Sequence, residues 1–399
     1  MADFVVRPVV EGEQRALFDV LGRALHAPPL TDEFWEKRRE AFPAERKIGA
    51  FAGDEPIGVA SSVGTAMAVP GGRVVPAAAV DGVGVRADHT RRGVLTAMMR
   101  EQLRDLVGRG EVLAALHASE TTIYGRFGYG IATRCQDVRL IRHRVRFRDH
   151  VPEGGRVRLI EVDEALELIP RLYERIGLRR PGMIERRERW WHYARHRIVG
   201  EHLTAVHTGP GDDDGFVLYK PIDRHEVTLP GALLRVRDLH AASVPALAGL
   251  WRFLLKIDLV SEIRASRPVD EPFTAMLVDS RACEVTGAWD ELWVRILDVP
   301  AALAARTYRA GEPVVLEVRD TLLPQNGGRY RVTADGASRT DARAQLRLDA
   351  DTLAMIYLGE WRASALAATG RIEAVDPGAP HHADDLFRVP VSPWCGTPF

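Results

Sequence analysis

Two stretches of the chain bring chemistry-bearing residues together. The first is Val83-Gly84-Val85-Arg86-Ala87-Asp88-His89-Thr90-Arg91-Arg92-Gly93-Val94-Leu95. An apolar run leads through a basic loop into a helix whose opening carries two arginines and a glycine. Helix N-termini present unbonded N–H groups and the positive end of the helix dipole. Gly93 lets the backbone approach closely, and Arg91 and Arg92 add charge, a combination suited to pyrophosphate. Taken alone, Arg-Arg-Gly more often marks an exposed basic turn. The second stretch, Leu116 to Gly130, reads LHASETTIYGRFGYG. Ser119 is placed to N-cap a short helix and Gly128 to stop it. Tyr124 then lies inside that helix and Tyr129 just beyond. A tyrosine hydroxyl keeps its proton near neutral pH and can protonate a departing thiolate; an isolated tyrosine is more often a packing residue with a polar tip. His117 and Ser119 do not form a hydrolase pair, because no G-x-S-x-G turn surrounds the serine.

The elements that position these stretches follow from hydrophobic spacing. Residues 13–25 are a candidate helix, with Leu17, Val20 and Leu21 on one face. Lys47–Phe51 and Ile57–Val63 read as strands around the turn Gly53-Asp54-Glu55-Pro56, and Pro70-Gly71-Gly72 separates two further apolar runs. Val80–Val85 reads as a buried strand. Val94–Val107 reads as a helix with Leu95, Met99, Leu103 and Leu106 on one side, ended by Gly108 and Gly110. Val112–His117 is another short strand.

Polar, glycine-rich residues 147–159 mark a first boundary. Beyond it, 163–197 reads as helical. Strand-like Phe216–Lys220 and Leu233–Val236 then feed an amphipathic helix at 244–257, repeating the N-terminal plan. The connection Asp238-Leu239-His240-Ala241-Ala242-Ser243 has neither glycine nor an arginine pair, so a second copy of the fold would lack the phosphate loop. A third region from about 290 holds strand signals at Trp293–Leu297, Pro313–Val318, Tyr330–Thr333 and Gln345–Asp349, then helical runs at 351–357 and 361–369. The tail LFRVPVSPWCGTPF is apolar, unlike most frayed termini, and is expected to dock.

Composition bounds the function. At roughly 100–200 residues per domain, 399 residues make two to four domains. Hydrophobic residues at 46% and charged residues at 27% exclude a disordered or disulfide-framework protein. With 54 basic and 55 acidic residues there is no general pull toward nucleic acid or anionic membrane. Cys135, Cys283 and Cys395 lie far apart, without metal-ligand spacing, and fit a reduced cytoplasm. His381-His382 reads as part of a loop or a helix start, which Pro380 could open, rather than as a metal site. No signal peptide is evident, and no run of about 18 apolar residues predicts a membrane span.

VGVRADHTRRGVLTAMM followed by AALHASETTIYGRFGYG is similar to the GNAT acetyltransferase superfamily. More narrowly, the whole chain resembles the enhanced intracellular survival (Eis) family of multi-acetylating aminoglycoside N-acetyltransferases. VRILDVPAALAARTY, IYLGEWRASALAATGRI and an aromatic last residue carry this beyond the first domain. The resemblance implies an α/β (α+β) fold of tandem GNAT-like domains followed by a sterol-carrier-like α/β domain. Residues 1–147 would form the catalytic domain and 148–288 a second GNAT-like domain lacking the CoA loop. Residues 289–399 would form the sterol-carrier-like domain, its tail docking into the active site.

It further implies acetyl-CoA as co-substrate, with no metal. Val83, Gly84 and Val85 would line the acetyl-pantetheine arm, where an N–H holds the thioester oxygen. Arg91, Arg92, Gly93, Val94, Leu95 and Thr96 would cradle the pyrophosphate, and Ser119 and Glu120 would border the arm. Tyr124 would be the general acid and the α-carboxylate of Phe399 the base. His26 and Trp35 are candidates for the amine pocket. The implied substrate is an aminoglycoside-like or polyamine amine; a protein lysine or small polyamine is an alternative acceptor, and a non-catalytic acyl-CoA or lipid-binding protein is the reading from another class. A cytoplasmic homo-oligomer, a hexamer, is also implied. The chain departs from the superfamily pattern at Thr90, where Arg or Gln is usual, and at Leu95, where a small residue is usual. Gly82 and Pro398 bear on substrate range.

Overall fold

A computed structural model arranges the chain in two compact units. It describes residues 3–222 and 231–399, without the side chains of residues 41, 193, 196 and 197. The first unit gathers residues up to 132, 292–390 and 398–399; the second gathers 133–291 and 391–397.

The first unit holds a seven-stranded sheet in the order β1 (Val5–Pro8), β2 (Lys47–Ala52), β3 (Glu55–Ala68), β4 (Val74–Val85), β5 (Leu113–Leu116), β14 (Trp293–Ile296) and β6 (Gly130–Ile131). Gly53, at φ 59, makes the β2–β3 turn tighter than expected, so Glu55 and Pro56 already belong to β3. Helix α1 (Gln14–Ala24) buries Leu17 against Phe51 and Val59, with Phe18 and Trp35 of α2 (Asp32–Glu36) packed alongside. Helix α3 (Val94–Gly108) buries Val94 and Met98 against Ile48 and Ala50, alternate positions on one face of β2, as strand alternation requires. A short helix α4 (Thr121–Tyr124) follows β5.

The same unit contains a five-stranded sheet in the order β17 (Gly336–Arg339), β16 (Gly328–Thr333), β15 (Val314–Arg319), β18 (Leu346–Asp349) and β19 (Ile372–Ala374). Its helices are α8 (Val299–Ala305), α9 (Ala350–Tyr357), α10 (Ala363–Ala368) and α11 (Ala379–Phe387). Helix α9 is buried on every side and touches β6 and β14.

The second unit has its own seven-stranded sheet: β13 (Cys283–Asp290), β7 (Arg134–Ile141), β12 (Val260–Pro268), β11 (Ala232–Ala241), β10 (Asp213–Ile222), β9 (Leu203–Thr208) and β8 (Arg156–Ile160). The expected helix over 163–197 is two helices, α5 (Val162–Ile176) and α6 (Glu188–Ala194). Helix α7 (Val244–Lys256) covers the sheet and buries Trp251 completely.

Sheet pairing cuts across the boundaries expected at 147 and 288. Arg134–Ile141 pairs with Glu262–Pro268 and with β13 in the second sheet, whereas Trp293–Ile296 lies between β5 and β6 in the first. Strand pairing is decided by tertiary partners rather than by local composition. The tail is not frayed. Ser392 N–H bonds Asp270 (2.8 Å), Trp394 N–H bonds the Pro181 carbonyl (2.9 Å), and the N–H groups of Cys395 and Gly396 bond the two oxygens of Glu291 (3.0 and 2.7 Å).

Candidate active site

Strand β4 opens the site. Between Ala79 and Gly82 it carries one residue more than β3, because Val63 faces Ala79 while Ser61 faces Gly82. Such a bulge bends the strand. On its other edge β4 pairs with β5 only through Ala77, Ala78 and Ala79. From Val80 to Val85 that edge has no strand partner among the described residues, which leaves backbone N–H and C=O groups to meet an extended ligand. Val83 and Val85 are half-buried and Gly84 is buried. Gly84 admits helix α1: a Cβ there would lie 2.9 Å from Ala24 Cβ. Gly82 likewise faces helix α1: a Cβ there would lie 2.8 Å from the end of the Leu21 side chain.

The loop after β4 is stapled before the helix begins. Arg86 pairs with Glu55 and with both oxygens of Asp88 (2.6 and 2.9 Å), and Arg86 and then His89 hold the Asp88 carboxyl well below the usual carboxylate range. Thr90 donates its hydroxyl to the Ala87 carbonyl (2.9 Å), which closes the loop on itself. Arg91 and Gly93 turn left-handed (φ 62 and 86). The first N–H to bond back is that of Ala97, to Gly93 (3.0 Å). Arg91 and Arg92 are exposed and have no ion-pair partner among the described residues. An unspent helix N-terminus beside two unspent cations offers the donors and the charge that suit an anion.

Tyr124 belongs to a cluster that Val83, on this edge, packs against. It is 6% exposed and shares one apolar cluster with Met99, Leu103 and Leu116, against which Val83, Leu95 and Ala118 also pack. Burial pushes its hydroxyl above the ordinary tyrosine value; a hydrogen bond with Ser119 opposes that and Glu120 reinforces it. Ser119 therefore serves Tyr124 and not the helix: the N-cap position is Glu120, with no side-chain cap. Gly128, at φ 80, ends the turn as expected. The Phe399 ring sits 4.6 Å from the His117 ring, at the end of β5.

His26 is exposed in a left-handed conformation two residues after Ala24, the residue that touches Gly84. Trp35 is tied into an aromatic group through Phe18 (5.7 Å), which also meets Phe34 and Phe42. Val83, Leu95 and Tyr124 are thus gathered, while Trp35 is held by packing. Sequence reasoning missed Arg295, buried completely and paired with Asp320 beside the Tyr124 turn; its only signal was a charge inside the apolar run Trp293-Val294-Arg295-Ile296.

In the second unit, β11 and β12 also part, their pairing ending at Arg235 and Arg264. A cavity of about 370 Å³ lies there, lined by Arg179, Leu239, Ser243, Arg267 and the tail residues Val391 and Trp394. Ser243 caps its own helix by accepting from Ala246 N–H (3.2 Å), so this N-terminus spends a donor internally.

Residues 5–132 match the family model of an acetyltransferase (GNAT) domain, residues 182–296 match another GNAT domain model, and residues 299–396 match a sterol carrier protein domain. An N-acetyltransferase Eis of Mycobacterium bovis is 37% identical over 365 residues, covering 86% of each chain. An uncharacterized N-acetyltransferase of Streptomyces avermitilis is 37% identical over 403 residues, covering 98% of each. The crystal structure of Eis1 from Mycobacterium abscessus agrees at a TM-score of 0.90 and 37% identity, covering 99% of this chain and 100% of that one. The chain belongs to the Eis family of GNAT N-acetyltransferases.

Membership in the Eis family makes the chain an enzyme that moves an acetyl group to an amine, with acetyl-CoA as the co-substrate that the GNAT fold implies. A GCN5-related N-acetyltransferase from Anabaena variabilis, 19% identical with a TM-score of 0.86, shares the fold. No helix among the described residues is long and apolar enough to cross a membrane.

Proposed function

We propose that the enzyme acetylates primary amines of aminoglycoside-like or polyamine substrates, with Tyr124 as general acid and the α-carboxylate of Phe399 as base. The observation that carries the reading is the shared cluster of Tyr124, Val83 and Leu95 beside the unpaired edge of β4. The thioester arm lies along that edge, its diphosphate at the start of α3, on the N–H groups of Gly93 to Thr96 and on Arg91 and Arg92. Ser119 and Glu120 border the arm where β5 ends.

The amine nitrogen attacks the thioester carbon, and an N–H on the β4 edge holds the oxyanion. As the C–S bond breaks, Tyr124 gives its proton to the thiolate. The Phe399 carboxylate takes the proton from the amine, directly or through one water; this role follows from the family resemblance. A carboxylate near pKa 3.3–3.7 is a weak base for an ammonium near 10.4, so the amine must lose part of its hydration first. His26, near the end of α1, faces that approach in this reading.

The remaining assignments belong to the same proposal. The second GNAT-like module carries no acetyl-CoA, and the sterol-carrier-like module serves packing. Exposed Val285 and Trp289 on the edge strand β13 suit self-association, the hexamer itself following from the family resemblance, and three free thiols suit a reduced cytoplasm.

A thiol-release assay against aminoglycosides, polyamines and lysine peptides tests the substrate class. Aminoglycosides or polyamines are expected to accelerate release. Acceleration by lysine peptides alone transfers the reading to protein acetylation, and none at all favours an acyl-CoA-binding protein. Tyr124→Phe should lower kcat about 100-fold or more, with the KM for acetyl-CoA little changed. Unchanged turnover would remove the acid role.

A further inference from the structure

The turn that carries Tyr124 rests on a buried cation contributed from far along the chain. Arg295, on β14, is completely buried, and its Nη2 reaches both oxygens of Asp320 (2.8 and 2.7 Å). Asp320 is in turn fixed by the N–H groups of Leu322 and Leu323 (3.2 and 3.0 Å) and by Asn326 Nδ2 (3.1 Å). This anchors the flat guanidinium plate through Nη2. A Cβ built on Gly128 would lie 2.8 Å from Arg295 Cζ and 2.9 Å from Nε and Nη1. Gly128, at φ 80, therefore sits in direct contact with that plate.

The contact passes to the acid in two steps. Tyr129, next to Gly128, donates its N–H to the Tyr124 carbonyl (3.3 Å), and the two rings meet edge to face at 6.0 Å. Burial pushes the Tyr129 hydroxyl up and the Arg295 charge opposes it, so cation and phenol face each other electrostatically. Neither Tyr129 OH nor Arg295 Nε and Nη1 has a hydrogen-bond partner among the described residues. What joins Arg295 to the turn is thus contact and charge rather than a hydrogen bond.

We propose that Arg295 is a positioning residue for Tyr124, acting through Gly128 and Tyr129 and held in place by Asp320. The inference rests on the reading of Tyr124 as general acid. It gives the strand Trp293–Ile296 a task in the first sheet beyond completing it: the strand delivers the support on which the acid stands. An acid that shifts by about 1 Å loses about two orders of magnitude in rate.

The experiment is a double-mutant cycle on the full chain, read as kcat and as KM for acetyl-CoA. Arg295→Met should lower kcat about 100-fold, with KM within about twofold of wild type. On a Tyr124→Phe background the same change should alter kcat by less than about twofold, because the group it positions is gone. A structural role elsewhere gives losses that multiply in the double variant, and that result overturns the proposal. Turnover of Arg295→Met near wild type, with Tyr124→Phe impaired, also overturns it while leaving the acid role intact. Full turnover of Tyr124→Phe sinks the acid role and the positioning role together. Should Arg295→Met not fold, Arg295→Met with Asp320→Asn removes both buried charges and serves in the same cycle.

Discussion

The most demanding test of the buried electrostatics lies in the second unit, where Arg186 pairs with Asp238 inside an aromatic box. The Arg186 side chain has no exposure and that of Asp238 has 7%; Nη1 and Nη2 lie 2.5 and 3.2 Å from the carboxylate oxygens. The guanidinium stacks 4.0 Å from the Tyr173 ring and 4.5 Å from Trp190, and it donates to the Thr397 hydroxyl of the tail (3.1 Å). Burial would raise the Asp238 carboxyl, but Arg186 and then His240 hold it well below the usual carboxylate range. Burial lowers His240, which stays neutral near pH 7 despite Asp238 at 2.9 Å. Replacing Arg186 by Met fills much of the volume but strands Asp238, at a cost of about 3–5 kcal/mol.

The pH dependence of that cost has a definite sign. In wild type, the depressed Asp238 contributes stability above its unfolded value of about 3.9 and loses it only below, so this term is flat from pH 8 to 5. The lowered His240 makes wild type lose stability as pH falls through the unfolded histidine value of about 6.5. Without Arg186, the Asp238–His240 pair takes up one extra proton in the folded state, on either partner. The cost of the substitution therefore shrinks by up to about 1.4 kcal/mol per pH unit on acidification. Urea melts at pH 5, 6, 7 and 8, followed by the fluorescence of the buried tryptophans, measure it directly. A cost below about 1 kcal/mol, or one that does not change across this range, would refute the assignment. Adding Asp238→Leu should recover most of the loss, since a buried pair replaced by apolar groups is close to neutral.

Two further outcomes follow from the first unit. Because Tyr124 is raised above the ordinary tyrosine value of about 10 and must carry its proton to act, kcat should stay level on the alkaline side until beyond about pH 10; a fall centred near 8 would assign the acid to another group. Gly130→Ala should destabilise the enzyme by about 3 kcal/mol, at the upper end for overpacking, because the new Cβ would lie 2.0 Å from the Asp351 carbonyl oxygen, a backbone atom that cannot swing aside. An unchanged melting temperature would count against the close docking of α9 on β6.

What was legible in the sequence was what is local. Helix α3 could be placed to within a residue because its apolar side repeats at helical spacing and glycines end it. The Tyr124 turn was legible because its stop glycine must be left-handed. The strand exchange was not. Arg134–Ile141 and Trp293–Ile296 each look like a strand or a boundary segment, and nothing within four or eight residues says which sheet will take them. The Arg295–Asp320 pair was hidden for the same reason: 25 residues separate its members, and a charge inside an apolar run has no reading until its partner is in place. These two failures are one. Only when β14 slots between β5 and β6 does the glycine pattern of Gly128-Tyr129-Gly130 acquire a cause, since Arg295 presses on the first glycine and Asp351 on the second. The turn that looks like a local signature is thus shaped from below by residues more than 160 positions away. That is why the motif identifies the site, while the geometry of its acid depends on the far end of the chain.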